Sequence, residues 1–162
     1  MVDVNEQTPL AAIFRQELPS KTHTFLAMAG LVQLEPGVPF EQAAAPQGFN
    51  DPARYDVLEY KVDPDTSRNT QCIRYTLRLL VKTSPNAPNT PLQMLERGTV
   101  CAHPTMRDMA VRAFFSERGM PEEMDPALWS GFDDFIQGIH IESAPGVTVA
   151  QQTVPDDARD GR

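Results

Sequence analysis

Hydrophobic and polar positions along this chain change period several times, and each change marks a candidate element. The clearest period-two pattern lies at 55–62 and 71–82, joined by the polar connection Asp63-Pro64-Asp65-Thr66-Ser67-Arg68-Asn69, and it predicts an antiparallel hairpin. In its second strand Ile73, Tyr75, Leu77, Leu79 and Val81 share one face, assigned to the core, while Arg74, Thr76, Arg78 and Lys82 share the other. Helical spacing recurs elsewhere. Leu10, Ile13, Phe14 and Leu18 follow Thr8-Pro9 as a first helix, and Thr90-Pro91-Leu92-Gln93 opens a second that ends near Gly98. Thr105 opens a third, through Met109, Ala110, Ala113 and Phe114, which Gly119 and Pro121 close. The strongest amphipathic pattern begins at Asp125-Pro126 and sets Leu128, Trp129, Phe132, Phe135 and Ile136 on one broad face before Gly138.

Segment 21–34 fits two readings. Thr22, Thr24, Leu26 and Met28 alternate like a strand, whereas Ser20 could cap a helix carrying Phe25, Met28 and Val32; the strand is preferred. Short strands at 99–102 and 139–141 and a long Pro/Gly-rich loop over 35–52 complete the pattern. Fifteen prolines with a net charge of −8 could signify disorder, but several follow a Thr or Asp able to cap a helix, and there they act as punctuation in a folded domain. The expectation is an α+β fold: a single domain over 8–150, its antiparallel sheet built around the 55–82 hairpin with helices packed on one face. Helix 126–137 would pack on the hairpin through Trp129 and Phe132, between a flexible arm at 1–7 and a polar mobile tail at 151–162. A chain of 162 residues, 41% hydrophobic, buries roughly 70% of its unfolded surface and needs no staple.

Charge narrows the partners. Twenty-two acids against 14 bases weigh against direct binding of nucleic acid or of an anionic membrane, since both require a positive field. The longest apolar run, 25–32, is far shorter than the ~20 residues of a spanning helix, and Asp3 and Glu6 precede any Lys or Arg, unlike an export signal. Cytoplasmic localisation is therefore expected, with Cys72 and Cys101 as reduced thiols.

Candidate chemistry is sparse. Cys72, Cys101, His103 and His140 could form a Cys2His2 metal site, but their spacing fits no compact zinc module, and buried structural cysteines are the simpler reading. His103, before Pro104, suits a structural hydrogen bond. Glu122, Glu123 and Asp125 suit a helix start, and Asp133 and Asp134 a solvated face. There is no phosphate-binding glycine loop, GxSxG, HExxH or paired CxxC, so no catalytic residue, metal or cofactor is assigned. Arg74, Arg78 and Lys82 form the one local positive stripe, which pairing with Asp56 or Glu59 would explain. Three functional readings follow. The first is a non-catalytic protein-binding or assembly subunit, acting on another protein or on copies of itself through an acidic surface and mobile extensions. The second is a small-molecule-binding domain or small enzyme with a pocket between sheet and helices, drawing on Tyr60, Tyr75 and His140, and on Arg74 and Arg78 for an anionic ligand. The third is an immunity or inhibitor-type protein steered onto a basic target.

Overall fold

The computed structural model describes residues 11–139 other than 17, 47, 69 and 86, with 11–16 described as backbone alone. The expected arm at 1–7, the tail at 151–162, the strand at 139–141 beyond its first residue and His140 lie outside the described residues. Six strands form one antiparallel sheet: β1 (Ala11–Gln16), β2 (Thr24–Gln33), β3 (Tyr55–Pro64), β4 (Cys72–Val81), β5 (Leu92–Ala102) and β6 (Met109–Gly119), in the order β1-β2-β6-β5-β4-β3. Among the described residues two short α-helices accompany them, α1 (Phe40–Ala43) within the long 35–52 segment and α2 (Phe132–Gln137) after the sheet.

This is a β-sheet domain, which corrects the α+β expectation in five places. The 55–82 hairpin forms as expected, yet it is one edge of the sheet and not its centre. The segment expected as the first helix contains β1, whose backbone pairs with β2, itself the preferred strand of 21–34. The helices expected from 90 and from 105 are instead β5 and β6. Helix 126–137 divides into a 3-10 turn, Pro126–Trp129, and α2, with Gly131 between them, although Asp125 does cap the first piece by accepting the Ala127 N–H at 2.9 Å.

Burial explains why β5 and β6 escape a period-two reading. In β6 Ala110 and Phe114 are buried on one face and Ala113, Phe115 and Glu117 on the other, and a strand covered on both sides shows no alternation. In β5 the buried positions include Glu96, so its sequence Leu92-Gln93-Met94-Leu95-Glu96-Arg97 resembles a run of helix formers. The face carrying Tyr75 holds a core of Ile73, Tyr75, Val100, Ala110 and Phe114, against which Phe40 and Ala43 of α1 pack. The opposite face is covered by α2 over β2 and β6, where Phe25, Phe115, Phe132 and Ile136 form a second core with Trp129 and Phe135. Phe25 and Phe115 meet edge to face at 5.2 Å, and Trp129 lies 6.2 Å from each. The strongest amphipathic segment thus anchors a core, on strands other than those of the hairpin.

The two cysteines are also corrected. Cys72 and Cys101 are directly opposite across β4 and β5, with Cα atoms 4.1 Å apart, and their sulfurs form a disulfide. The Ala102 N–H donates to the Gln71 carbonyl, so the neighbouring Cys72–Cys101 position is a non-hydrogen-bonded pair, where side chains approach closest. Both sulfurs are consumed, which removes them from the Cys2His2 arrangement.

Candidate functional site

Buried and part-buried polar groups gather in three clusters. On the Tyr75 face, Tyr75 donates its hydroxyl to Glu96 at 2.7 Å, while Arg112 donates Nε to Tyr75 at 3.0 Å and Nη2 to Glu96 at 2.5 Å. Gly98 makes this possible: a Cβ there would lie 2.6 Å from the Tyr75 hydroxyl, so only glycine lets the phenol lie across β5. The Arg112 guanidinium also sits over the rings of Tyr75 and Phe114, at 5.4 and 4.8 Å. Burial, reinforced by the Glu96 charge, raises the Tyr75 pKa against the opposing effect of Arg112. Burial works against the charge on Arg112, but Tyr75 and Glu96 outweigh it and its pKa lies above the ordinary value. Each member satisfies the others, so the cluster holds a protonated phenol and an ion pair in place and leaves no activated group.

The second cluster fastens the C-terminal segment to the sheet. Glu117 is 1% exposed and accepts three hydrogen bonds, from His23 Nε2 (2.8 Å), the Asp125 N–H (2.7 Å) and Trp129 Nε1 (2.5 Å). Nearby, Glu123 accepts from Thr22 and the Met120 N–H; hydrogen bonds from Ser20, Met120 and Thr22 lower its pKa against slight burial. The third cluster ties the β3–β4 connection to α2. Asp65 accepts from Ser67 and from Arg74 Nε at 2.9 Å, and Arg68 donates to the Ile139 and Ile136 carbonyls at the end of α2. Burial opposes ionisation of Asp65, but the bonds from Ser67 and Arg74 prevail and bring its pKa from 3.8 down to about 2.

The residues expected to form a pocket separate onto two faces. Tyr60 and Tyr75 share one face, in adjacent rows opposite Leu77 and Val62, and partial burial raises the Tyr60 pKa against the opposing Arg112 charge. Tyr75 is buried, whereas Tyr60 is 46% exposed and not a buried pocket group. Arg74 and Arg78 are on the other face and are paired: Arg74 with Asp65 and Asp133, Arg78 with Glu59 at 3.6 Å, beside Lys82 with Asp56 at 2.7 Å. His103 takes a structural role, its Nδ1 accepting the Thr105 and Met106 N–H groups. Among the described residues no group of three or more His, Cys, Asp or Glu is placed to hold a metal. Glu96, Arg112, Glu117 and His23, the polar centres of two clusters, carried no local sequence signal, because their neighbours sit on other strands.

The remaining feature is the β3 edge. Among the described residues β3 pairs with β4 alone, and it carries three of the exposed large apolar side chains: Val57 (53%), Leu58 (55%) and Tyr60. Leu58 is the extra residue of a bulge between Val57 and Glu59. The Asp65 N–H bonds the Cys72 carbonyl opposite it, and Lys82 likewise bonds Arg54. By the antiparallel alternation, Asp63, Lys61 and Glu59 face β4 with their backbone groups, while Tyr55, Val57, Tyr60, Val62 and Pro64 direct theirs outward. Pro64 contributes no donor, so the outward ladder offers N–H groups at Tyr55, Val57, Tyr60 and Val62. A groove of about 320 Å³ adjoins the bulge, lined by Leu58, Arg78, Leu95 and Met124 among others.

No protein-family model, no curated protein and no solved structure matches the chain.

Proposed function

We propose that this protein is a non-catalytic assembly or protein-binding subunit whose docking element is the open edge of β3. One observation carries the reading: Val57, Leu58 and Tyr60 are about half exposed on β3, one of the two edge strands of the sheet, whose outward backbone groups have no strand beside them among the described residues. An edge of this kind binds by adding a strand, with main-chain hydrogen bonds for affinity and side chains for register. The clusters around Tyr75, Glu117 and Asp65 support the reading by contrast, since each is closed on itself and has a structural use. The pocket alternative would draw on Tyr60 and Tyr75, of which one is exposed and the other already bonded to Glu96 and Arg112. The inhibitor alternative rests on net charge alone. No helix among the described residues is long and apolar enough to cross a membrane, and the Cys72–Cys101 bridge favours action in a non-reducing compartment over the cytoplasm.

The test is recovery of tagged full-length protein from its native source, followed by mass determination under native conditions, for the wild type and for Val57→Lys/Leu58→Lys. Both changes fall on exposed side chains and should leave the circular dichroism of the wild type unchanged. The wild type should emerge in a stoichiometric assembly and the variant alone. Identical assemblies for both, or a lone wild-type chain, would refute the edge as docking element.

A further inference from the structure

We propose that the β3 edge is self-complementary and takes a second copy of this chain, pairing antiparallel about a two-fold axis between Leu58 and Glu59. This rests on the edge being the docking element and names its partner. An isologous contact requires that each residue meet an acceptable partner when the strand is laid against itself reversed. With the axis at this point, Tyr55 faces the partner's Val62 and Val57 faces the partner's Tyr60. These are the four outward residues that carry an N–H, so each of those donors enters the new ladder. The half-exposed Val57 and Tyr60 cover each other twice.

Charge fits the same register. Asp56 faces the partner's Lys61, and Arg54, just before the strand, faces the partner's Asp63, so four opposite-charge positions and no like-charge position lie across the axis. The Asp56, Lys61 and Asp63 side chains are 48, 65 and 57% exposed; within one chain Lys61 pairs with Asp63 at 2.9 Å and Asp56 with Lys82 at 2.7 Å, and pairs this exposed exchange for partners across the edge at little cost. Neighbouring registers fail on the same criteria. On the same count, an axis at Tyr60 sets the outward Val57 against the partner's Asp63, whose backbone groups face β4, so the new ladder breaks there, and one at Lys61 sets Lys61 against the partner's Lys61 and Glu59 against the partner's Asp63. An axis at Val62 opposes Tyr60 to the partner's Pro64, which has no N–H, and leaves Val57 and Leu58 uncovered. The bulge therefore acts as a register device: by adding Leu58 it brings Val57 and Tyr60 onto the outward side together, three residues apart. The product is one continuous sheet made from two six-stranded ones.

Sedimentation of the purified full chain tests this without any other protein present. The wild type should sediment at twice the 18.0 kDa of one chain. Lys61→Asp and Asp56→Lys each set like charges opposite one another twice, and each should weaken association at least roughly tenfold while circular dichroism stays that of the wild type. Mixing the two variants in equal amounts should restore the pair, because each introduced charge then meets its opposite. In the wild type, zero-length carbodiimide coupling of mixed light and heavy-nitrogen chains should yield a Lys61–Asp56 cross-link of mixed isotope, a readout independent of how the variants fold. A wild-type monomer at the highest soluble concentration, charge variants that still pair, or a mixture that stays monomeric overturns self-pairing. A monomer here combined with an edge-dependent assembly from the native source would leave the edge as docking element and refute only its partner.

Discussion

Breaking the Cys72–Cys101 bridge should lower stability by an amount set by the loop it closes. The bridge spans a sequence separation of 29 residues, and in the chain-entropy account releasing such a loop frees the unfolded chain by about 3.6 kcal/mol at 25 °C. For a chain of this length 1 kcal/mol corresponds to about 2–4 °C, so the expected fall in Tm is roughly 7–14 °C. Both cysteines are buried, at 4 and 1% exposure, so reductant added to folded protein acts slowly and the comparison needs protein reduced in denaturant and refolded under reductant. Thermal unfolding followed by circular dichroism then compares bridged and reduced chains, with Cys72→Ala/Cys101→Ala as a control that cannot reoxidise. Alkylation in denaturant, without reductant, counts free thiols and should find none. Two alkylated thiols in native protein would show that the bridge does not form. A Tm change under about 2 °C after verified reduction would refute the entropic account.

Gly98→Ala should be among the most damaging single changes, at more than about 2 kcal/mol by denaturant unfolding, because the added Cβ meets the Tyr75 hydroxyl at 2.6 Å and the Ala113 carbonyl at 2.7 Å; a loss under 0.5 kcal/mol, on the order of a surface change, would refute that contact. Trp129→Ala removes a ring packed on Phe25 and Phe115 and a donor to buried Glu117, and should cost about 3–5 kcal/mol; a loss below about 1 kcal/mol would mean that this face is not a core. Asp65 has a folded pKa of about 2 against 3.8 for the free group, so its stabilising contribution is complete above pH 3.8 and lost as pH falls through about 2. Asp65→Asn should therefore be less stable at neutral pH and lose less on acidification through that window, and parallel profiles for the two proteins would contradict the assignment.

The parts of the fold that were readable are those whose burial is one-sided. In β4 the core residues Ile73, Tyr75, Leu77, Leu79 and Val81 alternate with Arg74, Thr76 and Arg78, and both strand and face follow from that. β6 is covered on both faces, and β5 buries Glu96 where an apolar residue would reveal the period, so neither announces itself. Strand order was illegible for a different reason: the hairpin's pattern is the same at the centre and at the edge of a sheet, and only the position of β6 between β2 and β5 decides. The disulfide depends on the β4–β5 register, which sets Cys72 opposite Cys101 and cannot be reached while 90–98 is read as a helix. Of the site, the shared face of Tyr60 and Tyr75 and the pairing of Arg78 and Lys82 with Glu59 and Asp56 were accessible from the hairpin alone. Glu96 and Arg112 were not, since their relation to Tyr75 is made across three strands.

Amide hydrogen exchange resolved by residue along β3 tests the docking edge most directly, comparing the assembled protein with Val57→Lys/Leu58→Lys. Lys61 and Asp63 donate to β4 and should be protected to the same degree in both, whereas the Tyr60 and Val62 amides face outward and should exchange rapidly in the variant. The account predicts that Tyr60 and Val62 become protected in the assembled wild type. Equal, rapid exchange of Tyr60 and Val62 in both states would contradict it.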